Sequence, residues 1–179
     1  MNSTVNHFAR TLAVCGALIC AFGTAEANTY PQPQPQHKPQ FSGKVTSSID
    51  PKTGDVKVCF KEINLKNKAV TYTAKASVVA SYACRNHGGN CPPGKDTVVK
   101  QTVATSATYS PDKHGTVSAC ITLKVPKPAK NPCPDSMSLV LESVSWTNIT
   151  ISDVTNGIGP VAAYPSKQSV NYGSCPAPK

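Results

Sequence analysis

Several things are scarce in this chain of 179 residues, and each scarcity excludes something. Arginine is nearly absent: besides Arg10, only Arg85 occurs, although lysine brings the formal net charge to +9. The guanidinium fork reads phosphates and base edges, so sequence-specific nucleic-acid recognition is not expected. Large aliphatic residues are thin, phenylalanine occurs four times and tryptophan once. No segment of useful length after the first 27 residues carries a helical hydrophobic period. No Cys-x-x-Cys pair occurs, which removes zinc-ribbon and thioredoxin-type readings, and no metal site or cofactor is expected. Carboxylates are few and scattered. Asp50, Asp55 and Asp112 fall in turns, Asp96, Asp135 and Asp153 at strand edges, and Glu62 and Glu142 stand alone, so no facing acid pair is expected.

What is present begins with an export leader. Arg10 and His7 precede the short apolar run TLAVCGALICAF, and Ala25-Glu26-Ala27 fits the small-x-small cleavage pattern, so residues 1–27 read as a secretory signal. No second apolar stretch offers a transmembrane anchor, and the expected location is secreted or extracellular, cell surface and periplasm included. Cys15 and Cys20 leave with the leader. Six cysteines remain, Cys59, Cys84, Cys91, Cys120, Cys133 and Cys175, and an even number in an exported chain predicts three disulfides. Residues 28–40, NTYPQPQPQHKPQ, form a Pro/Gln-rich tether of extended character, read as a spacer. Residues 41–179 then make one domain.

Alternation with a period of two runs through that domain. Phe41 to Ile49 and Val56 to Phe60 flank Asp50-Pro51-Lys52-Thr53-Gly54-Asp55 and read as a hairpin. Tyr72 to Cys84 is a strand long enough to require a bulge or bend near Val79. Val99 to Tyr109 and Val117 to Val125, joined through Ser110 to Gly115, read as a second hairpin. Ser138 to Asp153 changes phase between Trp146 and Ile149, which predicts a bulge there. One more short strand is expected near Pro160 to Tyr164. The fold class is therefore all-β: an antiparallel β-sandwich of about seven strands, disulfide-stapled, behind a Pro/Gln tether.

Gly54-x-Val56-x-x-Cys59 and Gly115-x-Val117-x-x-Cys120 share one spacing. Their cysteines fall on the polar faces of their strands, which favours a Cys59–Cys120 bridge. Cys84 with Cys91 and Cys133 with Cys175 complete the preferred set. Cys84 with Cys133 and Cys91 with Cys175 is the rival.

No catalytic constellation emerges. Ser110, Asp112 and His114 have the residue types of a triad, but turn composition explains them. The loop Arg85, Asn86 and His87 is the candidate contact surface, since loops on rigid scaffolds carry binding. Trp146 is read either as core or as an aromatic platform for sugar rings. Asn148-Ile149-Thr150 is a glycosylation sequon in a eukaryotic host. The function that follows is non-catalytic: an exported binding protein engaging an anionic polymer, a wall polysaccharide or a host surface component. The competing classes are a structural envelope or spore-coat protein, a secreted effector or inhibitor, and a small extracellular hydrolase.

Overall fold

The computed structural model describes residues 37–93 and 96–177. The leader, its two cysteines and tether residues 28–36 lie outside the described residues. Among those described there is no helix. Nine strands run in the order β1 (Gln40–Phe41), β2 (Thr46–Ile49), β3 (Val56–Ile63), β4 (Val70–Asn86), β5 (Thr97–Tyr109), β6 (Val117–Leu123), β7 (Met137–Asp153), β8 (Ile158–Ala162) and β9 (Gln168–Asn171). Every strand pair is antiparallel.

The strands form two sheets. In the first, β3 pairs with β6 along one edge and with β1 and then β2 along the other. In the second, β4 lies between β5 and β7, and β7 carries β8 and β9 end to end on its far edge. The nine strands thus fill seven lateral positions, in keeping with the expected sandwich of about seven strands. Gly43 explains the division between β1 and β2. Its positive φ of 75° turns the chain out of the extended region.

One buried cluster fills the space between the sheets. Val56, Val58 and Phe60 come from β3 and Val117, Ile121 and Leu123 from β6. They meet Tyr72, Ala74, Ala76, Val78 and Ala80 of β4 and Val144, Trp146, Ile149 and Ile151 of β7. The alanines of β4 leave room for the Trp146 indole on the neighbouring strand, where it pairs with Val78. Trp146 Nε1 donates to the Gly54 carbonyl at 2.8 Å, so the one polar atom of this side chain is satisfied inside the core.

The ladder between the two long strands is irregular at two points, and both extra residues lie on β7. Lys75 pairs with Thr150 and Ser77 with Thr147, so β7 holds an extra residue, and that residue is Asn148, at φ 54°. The bulge expected between Trp146 and Ile149 is there. It lets both side chains point inward, each fully buried. A second extra residue, Glu142, lies opposite the Ser81–Tyr82 step. The two irregularities flank Val79 instead of falling on it.

The second expected hairpin does not form. β5 pairs with β4 and β6 pairs with β3, so Ser110 to Gly115 arches from one sheet to the other. Each of these strands has a single apolar face. Crossing between sheets turns both faces onto the same core, where hairpin pairing would have left them side by side.

Cys59 and Cys120 sit directly opposite one another on β3 and β6, with Cα atoms 4.0 Å apart, and form the first disulfide. The other two bridges are Cys84–Cys133 and Cys91–Cys175, which corrects the preferred pairing in favour of its rival. The reason is orientation. Cys84 is fully buried, with its side chain turned into the protein. The next residues close a tight turn, Asn86 N donating to Asn90 O at 2.9 Å and Gly89 N to Asn86 O at 3.0 Å, which delivers Cys91 to the half-buried rim. There the C-terminal tail meets it, held by Cys175 N donating to Glu142 Oε1 at 3.0 Å.

Candidate functional site

The outer face of the first sheet is basic. Lys57 and Lys61 alternate with Cys59 along β3, and Lys124 continues the outward phase of β6 after Ser118, Cys120 and Thr122. The Cys59–Cys120 bridge lies between the lysines and ties the two strands that carry them. Lys57 faces Thr122 and Lys61 faces Ser118 across the ladder, so neither has an acidic cross-strand neighbour there. Lys124 pairs with Asp55, Nζ to Oδ2, at 2.8 Å, while keeping most of its side chain exposed. This ion pair raises the Lys124 amine above its ordinary range.

At the Asp50–Asp55 end of the sandwich this face runs into a cleft of about 550 Å³. Lys52, Lys124 and Lys127 stand on its walls, and Val125, Leu139 and Leu141 supply apolar lining. Asp55 organises it: Oδ1 accepts from Val125 N at 2.9 Å while Oδ2 takes the Lys124 amine. Tyr82 contributes its ring, and its hydroxyl donates to Pro126 O at 2.8 Å. Burial raises the Tyr82 hydroxyl above the usual phenol range, with the Asp55 charge adding to it.

Arg85, Asn86 and His87 line a smaller cleft of about 190 Å³ with Ser136 and Ser138. Their side chains also brace the loop. Arg85 Nε donates to Gly89 O at 3.4 Å, and Asn86 Oδ1 accepts from Asn90 N at 2.9 Å. Trp146 is not brought to this loop. It has no exposed surface, so no sugar ring can stack on it without separating the sheets, and the platform reading is corrected to the core reading. Asn148 is exposed at its bulge, beside Thr73, Lys75 and Thr150 on the outer face of the second sheet.

The expectation of no facing acid pair is corrected by a buried group inside the sandwich. Glu62 is fully buried and Asp153 is 1 % exposed, and they meet around the buried Tyr72 hydroxyl. Tyr72 and Asp153 are cross-strand neighbours on β4 and β7, and Glu62 reaches them from β3. Asp153 is occupied by its turn, accepting from Asn156 N at 2.9 Å and from Asn156 Nδ2 at 2.6 Å. Neither Glu62 oxygen nor the Tyr72 hydroxyl has a hydrogen-bond partner of normal geometry among the described residues. Burial pushes the Glu62 carboxyl up to about 7; the Tyr72 hydroxyl pulls against this and the Asp153 charge adds to it. Burial and the Glu62 carboxylate push the Tyr72 hydroxyl above the usual phenol range.

The signal for this group was the strand period carried one step further. Val56, Val58, Phe60 and then Glu62 share one phase of β3, and Ile149, Ile151 and then Asp153 share one phase of β7. Two facing carboxyl groups have the composition of an acid–base pair. These two are enclosed by Phe41, Phe60, Tyr72 and Tyr109, whose ring centroids lie 4.4–6.4 Å apart in the contacting pairs. A substrate has no route to them while the sheets are closed.

Among the described residues no three His, Cys, Asp or Glu side chains gather to hold a metal ion, and no helix is long and apolar enough to cross a membrane. Comparison with models of known protein families, with characterised proteins and with solved structures finds no match to this chain.

Proposed function

We propose that this protein is an exported, non-catalytic binding protein that engages an anionic polymer, such as a wall polysaccharide or a host surface polyanion, through the lysine face of the first sheet. The observation that carries the reading is the placement of Lys57, Lys61 and Lys124 on one outward face of two strands cross-linked by Cys59–Cys120. Two of the nine carboxyl residues, Glu62 and Asp153, are withdrawn into the core, which leaves the surface more strongly lysine-dominated than composition alone implies. Lysines on a rigid face attract a polyanion by summed field, without base or sequence readout. The three disulfides fit an oxidising, extracellular setting.

The test is retention of the folded, oxidised protein on immobilised heparin and polygalacturonate, with neutral dextran as the control. Retention at low salt should fall sharply near 1 M salt, where the Debye length is about 3 Å. Lys57→Glu/Lys61→Glu should lower it while leaving the thermal transition in place. Absence of retention at low salt, or retention indifferent to this double substitution, sinks the reading.

A further inference from the structure

We propose that the cleft at the Asp50–Asp55 end of the sandwich binds a long-chain carboxylate, a fatty-acid-like anion. Its chain would lie against Val125, Leu139 and Leu141, and its head at Lys127. This is a second binding function, at a cleft that adjoins the polymer-binding face and shares Lys124 with it.

The lining carries the argument. A volume of about 550 Å³ falls in the range of small-molecule sites, which are largely apolar with a few polar groups that orient the ligand. Leu139, Leu141 and Val125 are only half-buried and keep apolar surface open to the cleft. Covering such surface is favourable at about 25 cal/mol per Å², and a hydrophilic polymer does not supply that cover. The other polar groups of the floor are already engaged. Both Asp55 oxygens hold partners, and the Tyr82 hydroxyl is bonded to Pro126 O, so an apolar chain entering here strands neither group.

The charge balance then selects the head group. Lys52, Lys124 and Lys127 on the walls are set against Asp55 and the neighbouring Asp50. Lys124 is already paired with Asp55, and Lys52 sits two residues from Asp50, whose Oδ1 accepts from Lys52 N at 2.7 Å. Among the described residues the balance is one positive charge, which suits a monoanion better than a polyanion. Lys127, exposed on the proline-rich connector after β6, is placed to meet it.

Titration of the intact, oxidised protein with dodecanoate below its micelle concentration tests this, with dodecanol and dodecyltrimethylammonium as chain-matched comparisons. The expected result is saturable one-to-one binding of dodecanoate, at least tenfold tighter than either comparison. Methyl resonances of Val125, Leu139 and Leu141 should shift selectively. Lys127→Glu, on an exposed connector position, should weaken dodecanoate at least tenfold and leave heparin retention largely in place. Equal binding of dodecanol overturns the charged-head assignment, and shifts confined to other methyl groups overturn the site. Flotation with phosphatidylglycerol vesicles in the absence of free dodecanoate binding also overturns it, since a lipid surface would then be the partner. Loss of heparin retention with dodecanoate binding intact would remove only the polymer-binding function.

Discussion

Glu62 and Asp153 reach the same enclosed space from opposite sheets, and the Tyr72 hydroxyl lies with them. A carboxylate here has lost its water and gained a like-charged neighbour, and no cation among the described residues offsets it. The protonated form of Glu62 is therefore the one the folded state prefers.

Stability should fall as pH rises from about 4.5 to about 7. Glu62 has an ordinary value of 4.5 and a folded value of about 7, so between those limits the native state binds the extra proton. The cost of ionising it is absent below this window and complete above it. At roughly 1.4 kcal/mol per pKa unit this amounts to about 3–4 kcal/mol. Asp50 and Asp112 shift the other way, lowered by backbone N–H donors, and their contribution is lost only as pH falls through the acidic range below the window. Urea unfolding at pH 5 and pH 8 checks the difference. Glu62→Gln should raise stability at pH 8 and change it little near pH 4.5; a flat profile in the native protein rules this out.

Replacing Trp146 should damage the fold and spare binding. Trp146→Ala empties the largest fully buried side chain and should cost about 3–5 kcal/mol. Trp146→Phe keeps most of the volume but leaves the buried Gly54 carbonyl without its donor, at about 1–3 kcal/mol. Chemical denaturation measures both. Polymer retention per folded molecule should be unchanged, whereas a sugar platform would lose it.

Asn148 should tolerate glycine better than alanine. Its φ of 54° lies in the left-handed region, where asparagine and glycine are accommodated and a Cβ without a local hydrogen-bonding group is strained. Asn148→Ala should cost about 1 kcal/mol and Asn148→Gly close to nothing, read from melting temperatures of unglycosylated protein.

Removing the Cys59–Cys120 bridge by a double serine substitution should lower stability by about 2–4 kcal/mol, since it closes a long loop in the unfolded chain. The lysine face should also lose rigidity, so heparin retention should decline more than a global stability loss predicts for molecules that remain folded. Retention of the folded fraction, compared before and after substitution, separates the two effects.

The order of strands, the first hairpin, the bulge at Asn148 and the Cys59–Cys120 partnership were legible because each is local or rests on a two-residue period. The inward phase of Val56, Val58 and Phe60 is visible in the chain itself, and so is the slip between Trp146 and Ile149. The candidate contact surface was read at Arg85 to His87, and the structure adds the lysine cleft. Lys52 is distant in sequence from Lys124 and Lys127, and it meets them only when the first turn, the end of β6 and the connector converge on β7.

Composition and periodicity by themselves determined an all-β, disulfide-bearing, lysine-coated chain, because side-chain alternation and charge are properties of neighbours along the backbone. Only the tertiary structure decided that β5 and β6 cross between sheets. It also decided that Cys84 joins Cys133, and that Glu62 and Asp153 share one dry space. Those outcomes depend on which faces pack together, and burying the single apolar face of every strand at once settles that globally.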